Sequence, residues 1–251
     1  MSLRLIANWK LNGSIQFNDQ WAEDFFKNFS TLNSESIGIA PAFIYIDHIS
    51  KLIGDSGINI GVQNICEEES GARTGEISAS MIKDLGCKFS LIGHSERRIF
   101  FHESNKTISK KLNLANNNSV MPILCIGESA EENERNDTYD ILKFQVDEAL
   151  KDLFEQSALI IAYEPVWAIG SGKIPNPEEI NSVHKMIKDV VQSRFPKIDL
   201  KSVLYGGSVN SENASSLFVQ EHIDGALVGG ASLDGKEFAQ IANIFNEIKK
   251  K

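Results

Sequence analysis

Several polar residues in this chain stand directly after short apolar runs: Asn8 and Lys10 after "LRLIA", His94, Ser95 and Glu96 after "FSLIG", Glu164 after "ALIIAY". A carboxylate, an imidazole and a cation gathered at one place can move a proton beside a carbonyl group and hold the charge that develops on its oxygen. Glycines occupy equivalent positions in Gly206-Gly207-Ser208 and in Gly229-Gly230. Lacking a Cβ, such segments let backbone N–H groups converge on one oxyanion, which suits a phosphate ester. Singly, each residue has a plainer reading, since loops are rich in solvated lysines, structural histidines and glycine turns. Their joint meaning depends on the elements that carry them.

Those elements alternate in type. Eight runs are nearly continuous in apolar character, "LRLIAN" from Leu3, "SIGIA" from Ser36, "INIGVQ" from Ile58, "FSLIG" from Phe89, "MPILCIG" from Met121, "ALIIAY" from Ala158, "SVLYGG" from Ser202 and "GALVGG" from Gly225. That pattern predicts parallel strands covered on both faces. Between them lie helical stripes at Phe17, Trp21, Phe25 and Phe29; at Leu142, Val146, Leu150, Leu153 and Phe154; at Ile180, Val183, Ile187 and Val190; and at Phe238, Ile241, Phe245 and Ile248. Asn176, Pro177 and Glu179 read as a helix start with a reciprocal cap, whereas "SASMIKDL" and "NASSLF" carry only weak stripes. A βα repeat of about 31 residues predicts an α/β fold, a (β/α)₈ TIM barrel spanning 1–251 as a single domain. An open, doubly wound sheet is the alternative. In a barrel the polar residues named above all fall at the C-terminal mouth, where such folds do their chemistry.

Composition narrows the partners. With 25 basic and 34 acidic residues the net charge is −9, which repels nucleic acid and anionic membrane surfaces, so an anionic ligand must be held by local donors. Three cysteines, Cys66, Cys87 and Cys125, form no C-x-x-C pair and fit reduced thiols in a cytoplasmic protein. The N-terminal apolar run is too short for a signal peptide, and no stretch has the length of a membrane-spanning helix. "GSGK" at 170–173 is not a nucleotide-binding loop, because Trp167 and Ile174 stand where that motif needs glycine and a hydroxyl residue. No His/Cys/Asp cluster has metal-ligand spacing.

Seven segments, "NWK" (8–10), "QN" with "TGEIS" (63–64, 74–78), "IGHSERR" (92–98), "CIGE" (125–128), "YEPVWAIGSGK" (163–173), "YGGSVN" (205–210) and "LVGGASL" (227–233), occur in one order along the chain. In these the whole sequence resembles the triosephosphate isomerase family. The resemblance implies interconversion of dihydroxyacetone phosphate and D-glyceraldehyde 3-phosphate, in glycolysis and gluconeogenesis, with no metal or organic cofactor. It implies Glu164 as the base, His94 as a neutral electrophile, and Lys10 with Asn8 as donors to the developing oxyanion. Glu96 falls where the family pairs a carboxylate with the lysine. Gly170, Ser208, Gly229 and Gly230 are implied to cradle the phosphate. Pro165, Val166 and Trp167 read as a stiff hinge, Ala168 to Lys173 as a lid that excludes water, and Ile169 with Leu227 as an apolar clamp that makes the base more basic by desolvating it.

A homodimer is implied too, with Arg73 and Thr74 on the loop that enters the partner, and Thr74 near its Asn8 and Lys10. Arg73 replaces the family's usual aromatic or small apolar residue and predicts an interface sensitive to salt. His102 replaces a common glycine, which sets up backbone strain if φ is positive there, though histidine tolerates it better than most, and its favoured reading is a plain surface imidazole. Two other functions compete: a lyase using Lys10 as a Schiff-base nucleophile, which needs a desolvated amine, and a binding scaffold without catalysis.

Overall fold

The computed structural model describes residues 3–30, 34–168 and 175–249. Eight strands, β1 (Leu5–Asn8), β2 (Ile37–Ala40), β3 (Asn59–Val62), β4 (Phe89–Ile92), β5 (Met121–Ile126), β6 (Ala158–Tyr163), β7 (Asp199–Tyr205) and β8 (Gly225–Val228), pair in parallel as one closed barrel. Leu5 of β1 is in register with Ile37 of β2 on one side and with Ala226 of β8 on the other. That closure leaves no edge and sets aside the open-sheet alternative.

Between the strands run α1 (Ile15–Asn28), α2 (Ile46–Ile53), α3 (Ala79–Asp84), α4 (Ser95–Phe100), α5 (Asn105–Asn117), α6 (Ala130–Glu134), α7 (Thr138–Leu150), α8 (Pro177–Arg194), α9 (Ala214–Phe218) and α10 (Gly235–Ile248). Strand side chains alternate between two cores. Leu5, Ala7, Leu159, Ile161 and Val203 point outward and pack on the helices, while Ile6, Leu91, Ile160, Ala162 and Leu204 fill the barrel with Phe89. Phe89 explains two glycines in neighbouring strands: a Cβ on Gly61 would fall 2.4 Å from its ring and one on Gly38 2.7 Å.

Several sequence-based boundaries shift. β7 begins at Asp199, earlier than the Ser202 where its apolar run starts. α7 stops at Leu150, because the chain turns there with Leu153 N–H on the Leu150 carbonyl, leaving Leu153 outside the helix and Phe154 exposed. Phe29 is the C-cap of α1 instead of its last helical residue. On α8 the buried stripe runs through His184 and Val191, with Val190 only partly covered. Asn176 caps α8 by accepting from Glu178 N–H at 2.9 Å, not through a reciprocal pair with Glu179. The two segments with weak stripes do form short helices, α3 with Ala79 and Ile82 buried and α9 with Ala214, Leu217 and Phe218 buried, and α2 and α5 complete the remaining units.

His184 carries a cost. It lies fully buried on α8 against the edge of Tyr163, ring centroids 6.0 Å apart, and neither ring nitrogen meets a partner in good geometry. Burial, helped by the Lys188 charge, pushes its pKa from 6.5 down to about 3. The folded protein therefore holds this ring neutral at a pH where the unfolded chain protonates it. The stability it secures is complete above the ordinary value and drains away as pH falls toward the depressed one, by up to about 1.4 kcal/mol per pH unit. Denaturant titrations between pH 6.5 and 4 are expected to show a shallower acid loss for His184→Leu than for the parent. Equal slopes would show that this ring is not titrating on unfolding.

Candidate active site

The period of two that separates the cores also aims the polar residues. Continuing inward from Ile6 come Asn8 and Lys10, and continuing from Ile160 and Ala162 comes Glu164. Leu227 leads likewise to Gly229. These residues, with His94, Gly206, Gly207, Ser208 and Gly230, line one cavity of about 470 Å³ at the C-terminal mouth. Six sequence-predicted positions, Asn8, Lys10, His94, Glu164, Ser208 and Leu227, are thus brought together with the Gly229-Gly230 turn. Glu96 joins through an ion pair, its Oε1 2.7 Å from Lys10 Nζ.

Glu164 is almost fully buried. The first N–H of α4, on Ser95, donates to its Oε2 at 3.0 Å. His94 Nε2 lies 3.0 Å from Oε1 but out of line for a good hydrogen bond, so Oε1 is left without a well-placed donor. Burial alone pushes this carboxyl up. The His94 ring, the Ser95 N–H and Lys10 outweigh it and hold the group below the ordinary carboxylate value. The basicity expected from desolvation is therefore not a property of this resting arrangement. A Cβ at Gly206 would sit 2.7 Å from Glu164 Cγ, so glycine there makes room for the side chain.

His94 is the N-cap of α4, and its Nδ1 accepts from Glu96 N–H at 3.2 Å. Burial disfavours the imidazolium, while the Glu164 and Glu96 carboxylates pull the pKa up, with a net rise. The contact at Nδ1 bears on the tautomer: in the neutral ring a hydrogen there would face the Glu96 N–H, so its one hydrogen belongs on Nε2, toward Glu164.

Lys10 adopts a left-handed backbone, φ 52°. Its own N–H donates to Asn8 Oδ1 at 3.1 Å, and Gln63 Nε2 donates to its carbonyl at 2.8 Å and to that of Ala40 at 3.0 Å. These contacts hold a conformation that costs a residue with a side chain about 1–2 kcal/mol. His102, φ 54°, shares the left-handed region and is exposed.

Sequence reasoning missed a second buried carboxylate. Glu128 Oε1 accepts from Trp167 Nε1 at 2.8 Å, Tyr163 Oη at 3.1 Å and Asn133 Nδ2 at 3.4 Å, and burial pushes its pKa up. It thereby anchors the turn Val166–Ala168, in which Ala168 N–H returns to the Pro165 carbonyl at 2.8 Å. The usable signal was its place just past an apolar strand, two residues after Ile126 and in the outward register, where Glu164 stands one residue after Tyr163 and inward. Pro165, Val166, Trp167 and Ala168 lie outside the lining of the main cavity. Ser208 Oγ donates to the Ala168 carbonyl at 3.1 Å, tying the mouth to that turn.

Ile169 and Gly170, with the rest of the expected lid to Lys173, lie outside the described residues. Arg73 and Thr74 stand exposed on a surface turn away from the cavity. All three cysteines are buried and unpaired. Among the described residues no group of three metal-ligating side chains occurs, and no helix is long and apolar enough to cross a membrane. Lys10→Gly should be more stable than Lys10→Ala by about 1 kcal/mol, since both lose the ion pair and only glycine relieves φ. Chemical denaturation that ranks alanine above glycine would remove the strain assignment.

Comparison with known proteins agrees with the geometry. Residues 3–245 match the family described as triosephosphate isomerase. Proteins named triosephosphate isomerase from Photorhabdus laumondii and Klebsiella pneumoniae are 40% identical over 249 residues and 41% identical over 251, each comparison covering 98% of both chains. The corresponding protein of Erwinia tasmaniensis is 40% identical over 251 residues, also with 98% of both chains covered. With the closed barrel and the Lys10–His94–Glu164 mouth, these matches make the chain a member of the triosephosphate isomerase family.

Proposed function

We propose that this chain, acting as one barrel domain, interconverts dihydroxyacetone phosphate and D-glyceraldehyde 3-phosphate through an enediolate, without metal or organic cofactor. The observation that carries this reading is the meeting of Glu164, His94 and Lys10 around one cavity. Glu164 takes a proton from the carbon beside the carbonyl, and the electron pair of that C–H bond moves onto the carbonyl oxygen. The Nε2 proton of His94 stabilises that oxygen, and the Lys10 charge, steadied by Glu96, offsets the new negative charge with Asn8 as a further donor. The hydroxyl proton on the first carbon passes, by way of His94 Nε2, to the former carbonyl oxygen, and as Glu164 returns its proton to the neighbouring carbon the C=O re-forms where the hydroxyl stood, which completes the exchange of aldose for ketose.

Ser208, Gly229 and Gly230, which line the cavity, offer backbone N–H groups to the phosphate, with Gly170 as the expected contribution of the lid. Pro165, Val166 and Trp167 serve as the hinge, held at rest through Trp167 and Glu128. Ile169 and Leu227 close over the base and keep water from the enediolate. The Lys10–Glu96 pair speaks for the isomerase over the Schiff-base lyase, because a paired ammonium is a poor nucleophile.

The same reading makes the chain a cytoplasmic homodimer. Leu11 and Ile44 are 98% and 81% exposed, and Met81, Leu85 and Phe101 are also bare, an apolar cost that a second copy removes. Arg73 and Thr74 are the contacts from the 71–76 turn to the partner. Sedimentation across 50–500 mM salt is expected to show a dimer that weakens as salt rises, and less so in Arg73→Ala; indifference to salt would count against the role of Arg73.

In deuterium oxide the enzyme is expected to incorporate one deuteron per turnover beside the carbonyl. Glu164→Asp, which retracts the carboxylate by about 1 Å, should lose on the order of 10²-fold in kcat, and Glu164→Gln more. Full turnover in either variant would transfer the role of base to another residue.

A further inference from the structure

Behind the mouth, on the far side of Glu164, lies a smaller cavity of about 150 Å³ lined by Arg98, Glu164, Ser95, Cys125, Val166 and Glu132 among others. Arg98 is the permanent cation of that chamber. Its Nε donates to the Gly93 carbonyl at 2.8 Å, Nη1 to Asn105 Oδ1 at 2.7 Å and Nη2 to the Cys125 carbonyl at 3.1 Å. One side chain on α4 therefore ties together the end of β4, the start of α5 and β5.

Two further features single it out. Its acceptors are all neutral, and among the described residues no carboxylate lies within ion-pair distance, whereas the adjacent Arg97 pairs with Glu103 at 2.5 Å. Gly93 has φ 70°, and a Cβ there would stand 3.2 Å from Arg98 Nη2 and 2.7 Å from Ile108 Cδ1, so the guanidinium lies close against the residue that launches His94 out of the strand.

We propose that Arg98 is a positioning residue for the reaction, fixing the Gly93–His94 peptide against β5 while its unpaired charge, facing the same chamber as Glu164, keeps that carboxylate ionised. This rests on the reading of Glu164 as the base. An arginine cannot shed its proton at accessible pH, so the charge is constant across the enzyme's range. In a site with little water such a charge acts at longer range than on a surface.

The other ionisable groups at Glu164 are His94, Lys10 and Cys125, with Glu96 across the mouth. Facing Arg98 are Cys125, Glu164 and Glu103, with Glu132 on the chamber wall. Burial lowers the Arg98 pKa, and Cys125, Glu164 and Glu103 pull it back.

The test separates charge from staple. Arg98→Lys keeps the charge and loses the three-way fork; Arg98→Gln loses the charge. The Glu164 carboxyl is followed directly by ¹³C NMR titration, its signal assigned by disappearance in Glu164→Gln, alongside the pH dependence of kcat/KM. Arg98→Gln is expected to raise the Glu164 midpoint and the acid limb of kcat/KM by about one pH unit, a tenfold gain in protonation, and Arg98→Lys to leave both in place. Both variants should lose about tenfold in kcat with KM within twofold, as expected when a reacting group is displaced but substrate is still held.

An unmoved midpoint in Arg98→Gln, or parental kcat in Arg98→Lys, overturns the proposal. Should Arg98→Gln not fold, Asn105→Ala frees one arm of the fork without touching the charge and should lower kcat with the midpoint unchanged; a shifted midpoint there overturns it. Failure of the base assignment shows separately, as turnover retained by Glu164→Gln, and leaves the titration interpretable.

Discussion

An ionised carboxylate buried in an apolar barrel is costly unless donors replace the water it loses. Glu164 is that group, and much of the mouth compensates for it. The Ser95 N–H at the start of α4 reaches Oε2, where a helix N-terminus favours negative charge. His94 supplies its ring edge, Lys10 its charge, and Gly206 the space. They come from three strand ends, those of β1, β4 and β7, so the compensation exists only once the barrel has closed.

Closure in turn imposes local cost. Lys10 and Gly93 take left-handed backbones at the two places where chain must leave a strand and re-aim a side chain into the mouth, at a cost for the lysine and none for the glycine. Asn8 and Gln63 hold the first, and Arg98 holds the second. Glu128 repeats the pattern beneath the turn Val166–Ala168, where three donors converge on one oxygen and Oε2 goes without. Such strain is tolerated because the surrounding packing over-determines it.

The strands were legible because parallel strands buried on both faces read as unbroken apolar runs, and the mouth residues because they stand directly after those runs, at the end of the barrel that carries chemistry. The same logic failed on the helices wherever burial departed from apolarity. α5 buries Lys111 and Ser109 within its stripe, Lys111 being satisfied by Glu103 at 2.6 Å and Asn64 at 2.7 Å, so its pattern looks broken in sequence. His184 interrupts α8 in the same way. At the site, Ser95 acts through its backbone, and Arg98 and Glu128 through contacts between elements distant in sequence; residue type alone does not announce such roles. Phe154 shows the opposite error, an apolar residue at helical spacing that the turn after Leu150 leaves in solvent.

The depressed pKa of Glu164 has a further implication for a base. A carboxylate held by several donors is stable but weakly basic, which is a poor state from which to attack a C–H bond. Giving up the Ser95 donor on moving toward substrate returns basicity to the carboxylate, as does removal of water from around it. The contacts that make burial tolerable at rest and the reactivity of the group in use are the same free energy at two positions of one side chain. Residues that set how firmly Glu164 is held, Ser95 and His94 by contact and Arg98 by charge, thus act on the chemical step more than on the affinity for substrate.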